Sequence, residues 1–176
     1  MNLFAGALIC SAAPLYVNAV GYVRNAGDIR KLKMNNSRTG EYIDLVYWVE
    51  GEYIYEAVRE FSHFMRDWRQ NKTIQCDPRN LDLLAATQLL MDSSEPLELL
   101  SGYRTKKTNK MLSNMYDGVA QNSYHMKAMA ADVRMKSRTV SQISKAARSC
   151  RGGGVGRYYR SNFTHIDCGP VRYWQK

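Results

Sequence analysis

Long apolar runs are missing from most of this 176-residue sequence. No uninterrupted apolar stretch reaches the roughly 20 residues that a membrane-spanning helix needs, so we expect no stable membrane insertion of the folded body. Internal repeats and low-complexity linkers are missing as well. With 45% apolar residues, the chain is long enough for one domain with a core but too short for two. We therefore expect a single domain over residues 24–176.

Lysine and arginine are missing from the first 23 residues, which are apolar and rich in small side chains. Within them, Val17, Asn18 and Ala19 match the small-x-small pattern of a secretory cleavage site. We interpret residues 1–23 as a signal or leader segment of an exported protein. The missing positive charge leaves a buried strand as the alternative.

Cysteine is scarce, and removal of the leader would leave three cysteines. An odd number argues against a complete disulfide framework. Cys150 and Cys168 flank a glycine-rich segment, and the sequence leaves open whether they form a bridge or stay as buried thiols.

The formal net charge is +9, and the basic residues are dispersed along the chain. Such a surface attracts polyanions, and both nucleic acid and a cell wall rich in peptide carboxylates fit it. No nucleic-acid motif accompanies the charge, which argues against a nucleic-acid partner. The glycine-rich residues 152–156 lack the Lys and Ser/Thr of a phosphate-binding loop, which argues against nucleotide binding.

The spacing of apolar residues predicts helices early in the chain and strands late. The predicted elements are a hairpin over 30–48, helices over 54–70 and 77–92, a strand over 97–103, a helix over 105–115, a strand over 129–135, a helix over 139–149 and closely paired strands over 152–174. This order favours an α+β fold, with an antiparallel sheet packed against N-terminal helices, over a doubly wound sheet.

Three histidines are present, and His63 lies off the apolar stripe of its predicted helix, so we expect it at the surface. The other two, His125 and His165, lie in the second half of the chain together with Asp132. A catalytic zinc takes three protein ligands, commonly imidazole nitrogen and carboxylate oxygen, and keeps a fourth position open for water. These three residues complete that set.

Spacing restricts how His125 and Asp132 share a metal. Seven residues of continuous helix rise by roughly 10 Å, which is too far for two short side chains to meet. We therefore predict that His125 lies in a loop, that Asp132 lies on the strand after it, and that His165 comes from a neighbouring strand. On spacing alone, hydrogen-bonded polar residues without a metal remain the alternative.

Three stretches carry a resemblance to a known family: SGYRT at 101–105, VAQNSYHMKAMAADVRM at 119–135 and GGVGRYYRSNFTHIDCGPVRYW at 153–174. They resemble the bacterial murein peptidases of the LAS group, named after lysostaphin, D-alanyl-D-alanine carboxypeptidase and sonic hedgehog. More narrowly, they are similar to the murein endopeptidase K branch of Gram-negative bacteria. The resemblance covers the chain from about Leu32.

The resemblance implies a hedgehog/D,D-peptidase-like fold and a periplasmic zinc metallopeptidase that hydrolyses peptide cross-links between peptidoglycan stem peptides. In the closest branch these links join two diaminopimelate residues. It implies one Zn²⁺ per chain on His125, Asp132 and His165. It also implies that Arg104 binds substrate oxygen or stabilises the developing oxyanion. We further predict that Ser123 and Tyr158 contact substrate.

The sequence departs from the family pattern at two places. Ala128 replaces a glycine, so a positive φ at this position would strain the backbone. Asn162 and Phe163 stand where a Glu or His commonly serves as general base. Asp167 is our substitute, because two residues along a strand it returns to the face of His165. It acts either as that base or as the carboxylate that orients the His165 ring.

Other classes of function remain as alternatives. The missing base is compatible with a catalytically weak zinc-binding cell-wall module. The net charge is compatible with a cytoplasmic nucleic-acid binder. A hydrolase with Ser123 or Cys168 as nucleophile has less support, because no order of catalytic partners is evident.

Overall fold

The computed structural model describes residues 29–176, which form one eight-stranded sheet and four α-helices. The strands are β1 (Ile29–Asn36), β2 (Tyr42–Val49), β3 (Glu52–Tyr53), β4 (Leu97–Ser101), β5 (Ala130–Arg134), β6 (Gly154–Tyr158), β7 (Phe163–Asp167) and β8 (Arg172–Gln175). The helices are α1 (Tyr55–Phe64), α2 (Pro78–Leu90), α3 (Lys106–Met115) and α4 (Val140–Ser149), with a short 3-10 turn at Tyr124–Lys127. The predicted leader over residues 1–23 lies outside the described residues. Within residues 29–176, no helix has the length and apolar character needed to cross a membrane.

The strand order is β3-β2-β1-β4-β5-β7-β6-β8, and the predicted α+β class is confirmed. The strands β4, β5, β7 and β6 pair antiparallel, as expected for the site-bearing part of the sheet. Two pairs are parallel, β1 with β4 and β6 with β8, so the sheet is mixed. The second parallel pair arises because the chain reverses twice between β6 and β8, once on each side of β7.

The predicted hairpin over 30–48 is confirmed as β1 and β2. Its turn is stabilised by Asn36, whose side-chain oxygen accepts hydrogen bonds from the backbone N–H groups of Arg38 and Thr39 at 2.9 and 3.3 Å. Gly40 supplies a φ of +74°, which glycine adopts without steric cost. The local turn chemistry of the sequence was therefore sufficient to place this hairpin.

The helix predicted over 54–70 is wrong at its C-terminal end, because α1 ends at Phe64. Beyond it, the Asp67 carboxylate accepts hydrogen bonds from the backbone N–H groups of Arg69 and Gln70 and forms a tight turn. Short acidic side chains compete with helix hydrogen bonds in this way. Trp68, which lies within the helix predicted over 54–70, is consequently 37% exposed, whereas His63 is exposed as predicted.

Alternation along the central strands separates the hydrophobic core from the polar face of the sheet. The helix α1 packs on β2, α2 packs on β1 and β7, and α4 packs on β6 and β7. Val133, Ile166 and Val155 point into this core. Because successive side chains of a strand point to opposite faces, Asp132 and His165 lie on the other face. Both are nevertheless buried.

The three cysteines of the described region, Cys76, Cys150 and Cys168, are buried and have free thiols. Burial raises the pKa of Cys76 and of Cys150 to about 11 and that of Cys168 to about 12. This arrangement corresponds to the second of the two alternatives left open for Cys150 and Cys168. Such protonated, enclosed thiols behave as small apolar side chains.

Asp82 on α2 connects this helix to the first three strands. One carboxylate oxygen accepts hydrogen bonds from Arg30 at 2.7 Å and from the Tyr47 hydroxyl at 3.0 Å, and the other accepts from the Tyr53 hydroxyl at 2.6 Å. Burial, followed by the charge of Asp82, raises the pKa of Tyr47 well above its ordinary value. The tyrosines therefore stay protonated and donate.

Asp82→Ala should lower the free energy of unfolding by roughly 3 kcal/mol, because it leaves a guanidinium and the fully buried Tyr47 hydroxyl without their acceptor. Urea unfolding followed by circular dichroism measures the change. Asp44→Ala is the matched control, since Asp44 pairs with Lys31 and Lys33 near the surface and accepts one long, exposed hydrogen bond from the Tyr42 hydroxyl. Such surface pairs contribute about 0.5 kcal/mol. Equal losses for both variants would contradict the proposed role of Asp82.

Candidate metal centre

Strand register and a short turn bring the three predicted ligands together. Asp132 on β5 lies directly opposite His165 on β7. His125 comes from the 3-10 turn before β5, whose first N–H groups are capped by Ser123: its hydroxyl accepts a hydrogen bond from the His125 backbone N–H at 3.3 Å. The prediction of a loop histidine followed by a strand aspartate is confirmed as local structure.

Ala128 ends the 3-10 turn in the left-handed conformation, with φ +50° and ψ +36°. This is the conformation that we expected to be strained if the position requires a positive φ. It costs an L-residue about 1–2 kcal/mol. The surrounding contacts hold it in place, because its N–H donates to the His125 carbonyl at 3.2 Å and its carbonyl accepts from the Asp77 N–H at 3.1 Å.

Three donor atoms form a nearly equilateral triangle. The distances are 3.2 Å from His125 Nε2 to Asp132 Oδ1, 3.2 Å from His125 Nε2 to His165 Nδ1, and 2.9 Å from His165 Nδ1 to Asp132 Oδ1. Ligands at zinc distances in a tetrahedron are separated by about 3.3 Å. The triangle therefore has nearly the dimensions of one face of such a tetrahedron.

The far nitrogen of each imidazole is held by a hydrogen-bond acceptor. His125 Nδ1 lies 2.6 Å from the Gly102 carbonyl oxygen, and His165 Nε2 lies 2.9 Å from an Asp167 carboxylate oxygen. Because neither acceptor has a proton to give, both nitrogens carry N–H groups and donate. In the neutral rings, the lone pairs of the other nitrogens therefore point at each other and at Asp132.

This arrangement of acceptors could hold a cation. Burial, together with the charge of Arg104, lowers the pKa of His125 to about 4, so this ring is neutral near pH 7. Burial alone would lower the pKa of His165, but the carboxylates of Asp132 and Asp167 outweigh it and raise that pKa. A proton on His165 Nδ1 would give a hydrogen bond to Asp132 only, whereas a metal ion would bind all three ligand atoms.

Arg104 lies beside the cluster, as the resemblance implied. Its Nε donates to the Ser101 hydroxyl at 2.8 Å, and a terminal nitrogen donates to Asp132 Oδ2, the oxygen that points away from the two imidazoles. Its backbone N–H donates to the His125 carbonyl at 3.1 Å. Burial raises the pKa of the Asp132 carboxyl, but His125 and Arg104 outweigh it and hold that pKa well below its usual range.

The two other predicted substrate residues lie at different depths. Ser123 is buried and its hydroxyl caps the turn that carries His125. Tyr158 is partly exposed, and its hydroxyl accepts a hydrogen bond from Trp174 Nε1 at 3.1 Å. Its ring stacks on Phe163 with centroids 4.4 Å apart. The Tyr158 side chain thus has an aromatic face and a polar end near the cluster.

Of the two positions that commonly hold a general base, Asn162 lies in the turn between β6 and β7 and Phe163 is the first residue of β7. Asn162 is exposed with φ +50°, and the Phe163 ring packs on Tyr158. Asp167 is 0% exposed, and both of its oxygens accept hydrogen bonds from Arg172. Its position on the outer nitrogen of His165, away from the donor triangle, fits the orienting alternative.

Several functional residues were missed from the sequence. They are Gly102, whose carbonyl holds His125, and a set of glycines and long side chains on β6 and β8: Gly154, Gly156, Arg172 and Trp174. The alternation Gly-x-Gly within a strand was the available signal, since glycine in a strand marks the close approach of another group. We predicted only closely packed backbone there.

The fold and this cluster define an α+β protein with a buried two-histidine, one-aspartate centre suited to a divalent metal. A family model described as Peptidoglycan L,D-endopeptidase MepK matches residues 24–174. The chain is 45% identical to the Peptidoglycan L,D-endopeptidase MepK of Escherichia coli (strain K12) over 145 residues, which cover 82% of this chain and 80% of that protein. It is 35% identical over 148 residues to a Probable peptidoglycan L,D-endopeptidase MepK of Haemophilus influenzae, covering 83% and 79%. The chain belongs to the MepK family of peptidoglycan L,D-endopeptidases, which confirms the resemblance.

Gly156→Ala should destabilise the fold by roughly 1–3 kcal/mol through overpacking, because the added Cβ would lie 2.4 Å from the Trp174 ring. The test is a double-mutant cycle with Trp174→Ala, measured by urea unfolding. With the indole removed, the glycine substitution should cost less by about 1 kcal/mol or more. An identical cost in both backgrounds would show that Trp174 is not what the added methyl group meets.

Proposed function

We propose that this chain is a zinc-dependent peptidase that hydrolyses peptide cross-links in peptidoglycan. Membership of the MepK family supports a hydrolase of the cell wall, and the relatives carry the name peptidoglycan L,D-endopeptidase. The links between two diaminopimelate residues are the substrate that the resemblance implies. The observation that carries the metal assignment is the convergence of three buried acceptors whose outer hydrogen bonds fix them in place.

His125, Asp132 and His165 would hold one Zn²⁺ per chain. When bound at such a site, zinc lowers the pKa of a coordinated water to near 7 and polarises a carbonyl oxygen. The neutral His125 ring and the ionised Asp132 are the protonation states that metal ligation needs near pH 7. Two of the three residues, His125 and Asp132, are thus in the protonation state for ligation before the ion binds.

Arg104 has two tasks in this proposal. Its ion pair with Asp132 Oδ2 leaves Oδ1 directed at the imidazoles, which fixes the orientation of the carboxylate. Its guanidinium, half-enclosed beside Ser101, also offers positive charge to an oxyanion that develops during hydrolysis. Ser123 and Tyr158 complete the proposed substrate contacts.

Asp167 is assigned to orienting His165 in this proposal. Its carboxylate meets the ring at Nε2, while Nδ1 points to the metal position. A carboxylate bound to the outer nitrogen of a ligating histidine fixes the ring and increases its basicity. Burial raises the pKa of Asp167, but hydrogen bonds from His165 and Arg172 outweigh it and bring the pKa to about 2, so the group remains an acceptor.

The remaining expectations concern where the protein acts. We propose export to the periplasm, with residues 1–23 as the leader and residues 24–176 as the single peptidase domain. The formal net charge of +9 suits a substrate whose stem peptides carry carboxylates. A catalytically weak zinc-binding wall module is the second candidate, and the exposed Asn162 and the stacked Phe163 at the usual base positions favour it.

The activity test uses purified protein with isolated sacculi and with a muropeptide dimer linked through two diaminopimelate residues. We expect soluble fragments in the presence of zinc and none after treatment with a chelator. His125→Ala should abolish release, whereas the matched control His63→Ala should release fragments at the unaltered rate, since His63 is exposed on α1. Zinc bound at one ion per chain without any fragment would favour the wall module over the peptidase.

Asp167→Asn separates the two roles of this residue. If Asp167 orients His165, zinc affinity should fall about 10–100-fold and saturating zinc should restore most of the turnover. If Asp167 is the base, zinc affinity should be preserved while turnover stays lower by orders of magnitude. Competition with a chromophoric chelator gives the affinity, and release from the muropeptide dimer gives the turnover.

A further inference from the structure

Two rows of side chains run across the strands on the polar face of the sheet. In the first row, Asp132 lies opposite His165, His165 opposite Gly156, and Gly156 opposite Trp174. The row two residues away places Asp167 opposite Gly154, and Gly154 opposite Arg172. In both rows a glycine of β6 stands between a site residue of β7 and a long side chain of β8.

The glycines allow β8 to reach the site across an intervening strand. A Cβ on Gly154 would lie 2.3 Å from an Arg172 nitrogen and 2.5 Å from Asp167 Oδ2. Contacts this short are not compatible with a side chain at that position. The missing side chain therefore opens the path through which the guanidinium meets the carboxylate.

Arg172 holds the Asp167 carboxylate at both oxygens. One terminal nitrogen donates to Oδ1 at 2.9 Å and the other donates to Oδ2 at 2.7 Å. Because the guanidinium is planar and its two N–H groups form a fixed fork, this pairing determines the plane of the carboxylate as well as its position. Oδ2, the oxygen that accepts from His165, is thereby fixed in direction.

Aromatic rings hold the guanidinium in turn. Its carbon lies 4.9 Å from the centre of the Tyr124 ring and 5.0 Å from that of the Trp174 ring. Tyr124 directly precedes His125 in the chain, and the Trp174 ring lies 5.3 Å from the His165 ring. Arg172 thus contacts groups next to both imidazoles, although it touches neither of them.

We propose that Arg172 is a positioning residue of the metal centre, which acts through Asp167 to fix the His165 ring and makes β8 an integral part of the site. This inference rests on the proposed function for the identity of the metal. The arrangement of Arg172, Asp167 and His165 does not depend on which ion binds.

The test compares Arg172→Gln with Arg148→Gln. Arg148 is the matched control, because it also stacks on an aromatic ring of β8, that of Tyr173 at 4.4 Å, but the described structure gives it no contact with Asp167. Zinc affinity, measured by chelator competition, should fall about tenfold in Arg172→Gln and stay unchanged in the control. Arg172→Lys should lie between, since an ammonium keeps the charge and loses the planar fork.

A merely structural role would give a different result. In the Asp167→Asn background, Arg172→Gln should change zinc affinity less than about twofold, because its route to His165 is already interrupted. The Co²⁺-substituted protein should show an altered ligand-field spectrum in Arg172→Gln. Lower thermal stability with unchanged zinc affinity and an unchanged Co²⁺ spectrum would overturn the proposal.

A measurement on the metal-free protein keeps the inference separate from the proposed function. The Nε2–H proton of His165, which donates to Asp167, should give a protected imidazole resonance in the unaltered protein and in Arg148→Gln. In Arg172→Gln this resonance should shift and exchange faster with water. An unchanged resonance would overturn the role of Arg172, whether or not the protein binds zinc. Failure to bind zinc would by itself refute only the metal proposal.

Discussion

The site depends on one constraint: three buried acceptor atoms point at a common position without a proton for each of them. In water such an arrangement would relax, because each lone pair would turn to a solvent molecule. Here the rings cannot turn, since the Gly102 carbonyl and the Asp167 carboxylate each take the N–H of one imidazole. Asp132 cannot turn either, because Arg104 holds its second oxygen. The free energy of folding therefore maintains three acceptor atoms in a geometry that could bind a divalent cation.

Positions without side chains are as important to this geometry as the donors themselves. A Cβ on Gly102 would lie 2.3 Å from the Met65 carbonyl oxygen, so only glycine fits against Met65 at the position whose carbonyl accepts from His125. Gly154 and Gly156 serve the other imidazole in the same way by admitting Arg172 and Trp174 from β8. The glycines that looked like loop or packing residues therefore determine how tightly the outer contacts can close around the centre.

Much of the local structure followed from the sequence because its causes are local. The hairpin predicted over 30–48, the helix predicted over 77–92 and the strand predicted over 129–135 all formed. Asn36 makes the turn of the hairpin, and Asp77 with Pro78 starts α2. The end of α1 did not follow, since Asp67 is tied to Thr105, thirty-eight residues away, and that contact outweighs the helical pattern of the apolar residues. The role of Asp167 was left between two alternatives, because the sequence does not specify which nitrogen of His165 its carboxylate meets.

By itself, the sequence determined the chemical set of two imidazoles and a carboxylate, the turn that presents His125 and the α+β class. The motifs that it shares with the family also predicted the kind of reaction to test. Only the tertiary structure decided which nitrogen of each ring faces the centre, because that depends on where the Gly102 carbonyl and the Asp167 carboxylate lie relative to the two rings. The pairing of β6 with both β7 and β8 likewise placed Arg172 on Asp167. Strand register joins residues by hydrogen bonds between backbones, and no local pattern of side chains specifies which strands become neighbours.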